Sequence, residues 1–272
     1  MIPKIIHQTW KTQEVPEHWK ESQEEWQKLM DYGWEYMLWT DEDNRNLIKT
    51  YYPWFLNKFD SYEHNIQRAD AVRYFILHKY GGVYSDLDIV PIIDKFLPMF
   101  DMYKNYEIVV TETNRDNQVA GQLLTNFFMM SKQGSEFWHH VWELLQDPAK
   151  VHKWKAFLIN FSYYFEVLLT TGPGVVNDAT LTYERPKDIV VLPAGLISSY
   201  SNQDNAWFDT SSPAVMKHIR GESWHQGDVY MWNTLKPLLR WKNLILVVVC
   251  IVAIIVGIIF WKKYTNCRNK NN

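Results

Sequence analysis

The sequence predicts an α/β fold in which a sheet carries helices on both faces. Short apolar strand patterns alternate with longer helical patterns along most of the chain, the order that such folds produce. The chain has 272 residues and is 47% hydrophobic and 22% charged, enough to bury a substantial core. Two cysteines exclude both a disulfide scaffold and a zinc site built from cysteines. A net charge of −3 argues against nucleic acid as a partner.

The elements follow from local start and stop signals. Strands are predicted at 3–6, 36–39, 83–89, 108–111, 127–130 and 189–192, and helices at 17–30, 41–50, 61–80, 135–146 and 157–169. Pro16 precedes the first helix and Gly33 follows it. Thr40-x-x-Asp43 is a helix-start pattern with an acid in the first turn. Gly81-Gly82 ends the clearest helix, over 61–80.

The end of the chain predicts a membrane anchor. Residues 244–261 form a run of 18 without a charge, long enough as a helix to span roughly 27 Å of hydrocarbon. Trp241 and Trp261 stand at its ends, as aromatic residues do at membrane interfaces. The sequence therefore predicts a globular head over 1–240, a single transmembrane anchor over 241–264 and a short basic tail over 265–272. The membrane orientation stays open.

Charge divides along the same boundary. Five of the 28 basic residues lie in 242–272, which contains no acid, so the remaining 23 face 31 acids and the head carries −8. The basic tail favours anionic lipid surfaces. The aromatic residues between 154 and 165 are predicted to be core, with some of this surface near a membrane.

Two acidic residues form the most informative pattern. Side chains alternate along a strand, so Asp86 and Asp88 are expected to share one face at the end of the strand over 83–89. Paired carboxylates suit Mn²⁺ or Mg²⁺ carrying a diphosphate. Asp70 and Arg73 lie three residues apart, on one face of the preceding helix. The sequence predicts that both pairs meet at one ligand.

Several motifs occur in an order typical of one enzyme family. They are Ile5-Ile6-His7-Gln8-Thr9-Trp10, Arg68-x-Asp70-x-x-Arg73-Tyr74, Tyr80-Gly81-Gly82-Val83-Tyr84-x-Asp86-x-Asp88, Thr171-Gly172-Pro173 and Ser223-Trp224-His225. Over about 1–226 the chain resembles glycosyltransferase family 32, whose sugar-binding region contains a DXD motif. The family includes fungal Golgi mannosyltransferases and mannosyl-inositol-phosphorylceramide synthases. The resemblance implies a GT-A fold for 1–240, a nucleotide-sugar donor, Mn²⁺ or Mg²⁺, and transfer that retains the anomeric configuration.

The resemblance also assigns site residues. It places Trp10 and Tyr84 among the nucleotide and sugar contacts, Asp70 and Arg73 at the donor sugar, and Asp86 and Asp88 as the DXD pair. Ser223 and Trp224 match the motif that closes over the diphosphate. His225 is favoured as a metal ligand, with His218 left open as the alternative. GDP-mannose is the favoured donor and a UDP-hexose remains open. A glycolipid or glycan is the expected acceptor, with inositol phosphorylceramide as one candidate, and the expected location is an endomembrane of the Golgi or endoplasmic reticulum.

Two other functions fit parts of the sequence. Asp86-Leu87-Asp88-Ile89-Val90 fits the opening motif of haloacid-dehalogenase phosphatases, whose first aspartate is a nucleophile. That motif normally follows the first strand of the chain, and the downstream acidic pair is represented here by Asp228 alone. A non-catalytic, membrane-tethered binding module is the second alternative. It would have no use for Asp70, Arg73 and the acidic pair together.

Overall fold

The computed structural model describes residues 1–113, 123–198, 214–219 and 231. In these ranges the strands are β1 (Ile5–Thr9), β2 (Glu35–Trp39), β3 (Gly82–Ser85), β4 (Ile89–Pro91), β5 (Ile108–Glu112), β6 (Leu124–Ser131), β7 (Ile189–Leu192), β8 (Ile197–Ser198) and β9 (Met216–His218). The α-helices are α1 (Lys20–Gln27), α2 (Asp41–Tyr51), α3 (Leu56–Ser61), α4 (Asn65–Tyr80), α5 (Ile93–Tyr103), α6 (Phe137–Gln146), α7 (Lys155–Ile159), α8 (Tyr163–Thr170) and α9 (Pro173–Thr182).

A six-stranded mixed sheet forms the centre of the molecule, in the order β2-β1-β3-β6-β5-β7. β1 runs parallel to both β2 and β3, and β5 runs parallel to β7. β6 is antiparallel to its neighbours β3 and β5. A second, smaller sheet has the order β4-β9-β8.

Helices cover both faces of the large sheet, which confirms the predicted α/β architecture. Alternate residues of β3 point into different cores: Val83 packs with α1 and α5, and Tyr84 packs with α2, α4 and α6. β5 repeats the pattern, since Val109 joins the first core and Val110 the second. The strands are therefore buried on both faces, as expected for a sheet between two helical layers.

Several local signals act as predicted. Thr40 and Asp43 form a capping box at the start of α2, in which Asp43 N–H donates to the Thr40 hydroxyl at 3.1 Å. Gly33 has φ +76°, the left-handed conformation that ends the helical segment before it. The predicted strand at 189–192 has the bounds of β7.

Other elements differ from the prediction. The helix expected over 61–80 begins only at Asn65, and the one expected over 157–169 is interrupted between α7 and α8. The sequence patterns predict neither α5 nor α9. α5 contains Pro98, which normally disfavours a helix interior, and α9 begins at Pro173, in a segment that resembles a turn.

The strand predicted over 83–89 is wrong in a way that matters for the site. β3 ends at Ser85, and a turn follows in which Ile89 N–H donates to the Asp86 carbonyl at 3.1 Å. β4 then joins the small sheet. Asp86 and Asp88 thus lie on a turn between two sheets, where strand alternation does not determine their directions.

Within the ranges described here, no helix is long and apolar enough to cross a membrane. The predicted anchor at 241–264 lies outside them.

Candidate active site

The candidate site lies at the edge of the large sheet where β1 and β3 end. Trp10 directly follows β1, and Asp86 directly follows β3. β1 and β3 are parallel neighbours, so their carboxyl ends meet at the same edge, where ligands bind in sheets of this kind.

The turn between α4 and β3 brings a third element to this edge. α4 runs back along the sheet before β3 begins, so its middle turns, with Asp70 and Arg73, lie beside the end of β3. Gly82 makes the tight junction possible. It has φ +90°, and a Cβ at this position would lie 2.6 Å from the Ile5 carbonyl oxygen.

Arg73 is the centre of a buried charge network. Its side chain is 4% exposed, and its guanidinium lies 2.9 Å from Asp70 Oδ1 and 3.2 Å from Asp86 Oδ1. One nitrogen also donates to the Asn126 carbonyl at 2.8 Å. The sequence predicts Asp70 and Arg73 on one helix face, and the structure joins that pair directly to the first aspartate of the DXD turn.

Asn126 is a member of this network that no sequence motif identifies. Its side-chain amide donates to Asp70 Oδ1 at 2.9 Å and to the Tyr74 hydroxyl at 3.2 Å. Asn126 lies on β6, 56 residues from Asp70 in sequence, and reaches it because β6 pairs with β3. The available signal is a single amide side chain, directly after Thr125, near the start of a mostly apolar strand.

Tyr84 lies beneath the acidic turn. Its side chain is fully buried, its hydroxyl donates to Asp86 Oδ1 at 2.8 Å, and the Thr9 hydroxyl lies 2.9 Å away. The Arg73 guanidinium lies 4.6 Å from the centre of the ring. These contacts suit a residue that holds Asp86 in place, and the predicted direct contact between Tyr84 and a nucleotide or sugar stays a prediction.

Gln8 supports the turn from β1. Its side-chain amide donates to the Asp86 carbonyl at 3.3 Å and to the Ser22 hydroxyl at 3.2 Å, and it accepts from the Tyr36 hydroxyl at 2.8 Å. Gln8 belongs to the first of the family motifs, but the sequence assigns it no role. In the structure it fixes the backbone that carries the acidic pair.

Burial and the nearness of other negative charges raise the pKa values of the acids in the network. Burial raises the pKa of Asp86 to about 6, Arg73 opposes this shift, and Asp88 adds to it. Burial also raises the pKa of Asp70, against the opposing effects of Arg73 and Asn126. Burial alone would lower the pKa of Arg73, but Asp86, Tyr84 and Asp70 outweigh it and raise that pKa, so the guanidinium stays charged. One guanidinium thus faces more than one carboxylate.

The hydrogen bonding of the Asp88 carboxylate suits a metal ligand. Its Oδ1 is buried and has no hydrogen-bond partner among the described residues, a costly arrangement for a carboxylate that a cation would relieve. Its Oδ2 lies 3.1 Å from His218 Nε2. A carboxylate only accepts, so His218 Nε2 carries the hydrogen and is directed at Asp88. This geometry makes His218 an orienting partner of Asp88.

The described residues do not complete an ion site around the DXD turn. Among the described residues, one group of three has ligand atoms that all lie within 4.8 Å of one another: Glu63 and His64, just before α4, and Glu166 on α8. There Gln67 already donates to Glu166 at 3.2 Å, and the helix dipole disfavours a cation. An ion at Asp86 and Asp88 would need further ligands, from the donor's phosphates or from the predicted His225, which lies outside the described residues.

Trp10 packs beside the acidic turn. Its ring is partly exposed and makes an edge-on contact with Trp19 at 4.9 Å between centroids. Both residues belong to a small cluster with Leu87, the residue between the two aspartates. Trp10 is thus at the predicted edge with part of its ring accessible, as a stacking role requires.

Thr171-Gly172-Pro173 forms the junction of α8 and α9. The Tyr74 hydroxyl donates to the Thr171 carbonyl at 2.7 Å, which ties this junction to α4. Ser223 and Trp224 lie outside the described residues.

Comparison with known proteins identifies the family. A family model described as "Glycosyltransferase sugar-binding region containing DXD motif" matches residues 16–109. An initiation-specific alpha-1,6-mannosyltransferase of Candida albicans is 31% identical over 283 residues, covering 82% of this chain and 72% of that protein. The chain belongs to the family of glycosyltransferases with this DXD-containing region.

Other relatives have a higher sequence identity, but this chain covers a smaller share of their length. Inositol phosphoceramide mannosyltransferase 2 of Schizosaccharomyces pombe is 34% identical over 236 residues, which are 85% of this chain and 61% of that protein. The chain spans 55% to 65% of the length of five such mannosyltransferases and mannosyl phosphorylinositol ceramide synthases. Among solved structures, the glycosyltransferase domain of the YGT toxin aligns over 70% of this chain and 80% of its own, with 9% identity and a TM-score of 0.47, too low to define the fold.

Proposed function

We propose that the chain is a retaining, metal-dependent hexosyltransferase with a GT-A fold. It would transfer mannose from a nucleotide-sugar donor to a glycolipid or glycan. The observation that supports this most directly is the buried Oδ1 of Asp88, beside Asp86 at the carboxyl edge of the sheet, for which no described residue is a hydrogen-bond partner. Mannosyl transfer is supported by the names of the relatives at 31% and 34% identity.

The acidic turn supplies the ligands. Asp88 would hold Mn²⁺ or Mg²⁺ through Oδ1, with Asp86 as a second ligand and His225 as the predicted third. The ion would neutralise charge on the departing nucleoside diphosphate. His218 keeps Asp88 oriented, as partners of ligating carboxylates do. Tyr84 and Arg73 limit the positions that Asp86 can take.

The donor sugar is assigned to Asp70 and Arg73. An acid and a guanidinium three residues apart on one helix can bind neighbouring hydroxyls of one pyranose. The network holds both groups in fixed rotamers before any ligand binds, which reduces the entropy lost on binding. Trp10 would stack on the base, and Ser223 and Trp224 would cover the diphosphate.

GDP-mannose is the proposed donor and an inositol phosphorylceramide the proposed acceptor, at an endomembrane of the Golgi or endoplasmic reticulum. We expect hydrolysis or transfer to be fastest with GDP-mannose in a panel that includes UDP-glucose and UDP-galactose. A preference for a UDP-hexose would replace the donor and leave the transferase assignment intact. Release of phosphate from simple phosphomonoesters would instead indicate the phosphatase chemistry.

Asp88→Ala tests the proposal at its centre. We expect transfer to fall at least about 100-fold, typical of removing a key electrostatic group. Chelation of the wild type with EDTA should have the same effect, and Mn²⁺ should restore only the wild type. Asp101→Ala is the matched control, because Asp101 is an exposed acid on α5. Full activity of Asp88→Ala, or activity indifferent to EDTA, would exclude a metal-dependent transferase.

A further inference from the structure

Three large aromatic side chains protrude from the α7 region. Trp154, Phe157 and Phe161 are 48%, 71% and 61% exposed, and we call them the aromatic patch. Phe157 and Phe161 stack with their centroids 5.8 Å apart. Trp154 precedes α7 directly and lies three residues before Phe157, and Phe161 lies just after the helix, where it stacks on Phe157.

The segment that carries the patch packs against α8 and α9. Leu158 and Ile159 pack against the cluster of Tyr164, Phe165, Leu168 and Leu169 on α8. Lys155, buried between two exposed positions of α7, forms an ion pair with Asp178 on α9. A helix of five residues has little stability alone, so these contacts are what hold the rings outward.

Charge around the patch differs from the rest of the head. Residues 148–165 contain no aspartate or glutamate, whereas the head as a whole has a net charge of −8. Lys150 pairs with Glu143 and Lys155 is buried, but Lys153 is exposed beside Trp154. The net negative charge of the head would repel an anionic surface, whereas residues 148–165 contain no acid that would do so.

We propose that the aromatic patch docks into the interfacial region of an anionic lipid bilayer. Tryptophan and phenylalanine next to lysine are typical of segments that insert their apolar face at the headgroup boundary. The charge-free run at 244–261 is predicted to place a bilayer next to this head. The patch therefore adds a second, shallow contact to the predicted anchor.

Docking there would also orient the candidate site. Gln67 of α4 donates to Glu166 and Thr170 of α8, and Tyr74 donates to Thr171 at the end of α8. The helix that supports the patch is thus hydrogen-bonded to the helix that carries Asp70 and Arg73. A docked patch would hold this side of the head at the lipid surface.

Photolabelling of the full chain tests the docking. The chain is reconstituted in nanodiscs of phosphatidylcholine with phosphatidylserine and a lipid carrying a diazirine at headgroup depth, and adducts are mapped by mass spectrometry. We expect adducts in 150–163, and about a tenfold loss there in the F157S/F161S variant. Discs of phosphatidylcholine alone should give a lower yield.

The control is the M102S/L181S variant, which removes two apolar side chains of similar exposure, 67% and 63%, from α5 and α9. It should retain wild-type labelling of 150–163, and circular dichroism should show both variants folded. Absence of adducts in 150–163 or equal labelling of both variants would overturn the proposal. A glycan attached at Asn160, which begins the glycosylation sequon Asn160-Phe161-Ser162, would also overturn it. None of these readouts depends on transferase activity.

Discussion

Arg73 shows at the scale of one residue why the site is pre-arranged. A buried guanidinium is costly unless its donors are satisfied, and here Asp70, Asp86 and a main-chain carbonyl satisfy them. The arrangement stabilises the site before a donor binds. It also makes each acid depend on the same cation, so removing one acid affects the other.

Asp70→Asn separates a sugar contact from a structural ion pair. The amide keeps the shape of the side chain but loses its charge, so we expect turnover to fall about 100-fold while affinity for the nucleoside diphosphate changes little. Single-turnover kinetics and calorimetric titration measure the two quantities. Asp101→Asn is the control, since Asp101 pairs with Lys104 at the same i,i+3 spacing but on the surface. Equal losses of turnover and binding would indicate a structural role only.

His7, on β1, makes the stability of the fold depend on pH. Trp39 Nε1 donates to His7 Nδ1 at 3.1 Å, and His7 Nε2 lies 2.9 Å from the Gly81 carbonyl, so the buried ring is neutral. Burial lowers its pKa from 6.5 to about 4, against the opposing bond to Gly81. The unfolded chain therefore binds a proton that the folded chain excludes, and stability is lost as pH falls from about 6.5 to 4.

We expect His7→Gln to lose less of its free energy of unfolding than the wild type between pH 6.5 and pH 4, by about 3 kcal/mol at most. Glutamine can make both hydrogen bonds without titrating. Urea unfolding at a series of pH values measures the difference. His18→Gln, at an exposed position, should follow the wild type. Parallel curves for wild type and His7→Gln would contradict this account.

At the scale of elements, the junction of α4 and β3 sets the position of the acidic turn. Gly82 combines a left-handed φ with close contact to β1, so it is restricted both by backbone strain and by space. Gly134 has φ +69°, but a Cβ added there would have no atom within 4 Å. A side chain at Gly134 would therefore cause backbone strain alone, whereas one at Gly82 would cause both strain and a steric clash.

Gly134→Ala should cost about 1 kcal/mol from strain alone. Gly82→Ala should cost about 3 kcal/mol or more, because a Cβ lying 2.6 Å from the Ile5 carbonyl forces β1 and β3 apart. Denaturant midpoints of the two variants give the comparison. Equal costs would show that the backbone relaxes around the new methyl group.

At the scale of the whole molecule, the head and the predicted anchor have different tasks. A chain ending at Leu239 lacks the charge-free run, so we expect it to be soluble and to retain donor hydrolysis. It should lose transfer only to acceptors embedded in a bilayer, because the anchor keeps the head near them. Aggregation of the shortened chain, with the full chain soluble without detergent, would mean that 244–261 belongs to the core.

Much of the architecture is readable from local sequence. The capping box of Thr40 and Asp43, the glycines at 81 and 82 and the bounds of β7 depend on backbone preferences of neighbouring residues, which short patterns express directly. The order of motifs also identifies the family, and one helix face carries Asp70 and Arg73 as predicted.

The details of the site depend on contacts that local sequence does not encode. The strand over 83–89 breaks at Asp86, where the main-chain N–H donates to the Phe127 carbonyl of β6 at 2.8 Å. The pairing of β3 with β6 also brings Asn126 to Asp70. His218, on β9, is hydrogen-bonded to Asp88. Sequence periodicity determines which residues are buried, whereas the order of strands in the sheet determines which distant polar groups meet. That order is decided only when the whole chain packs.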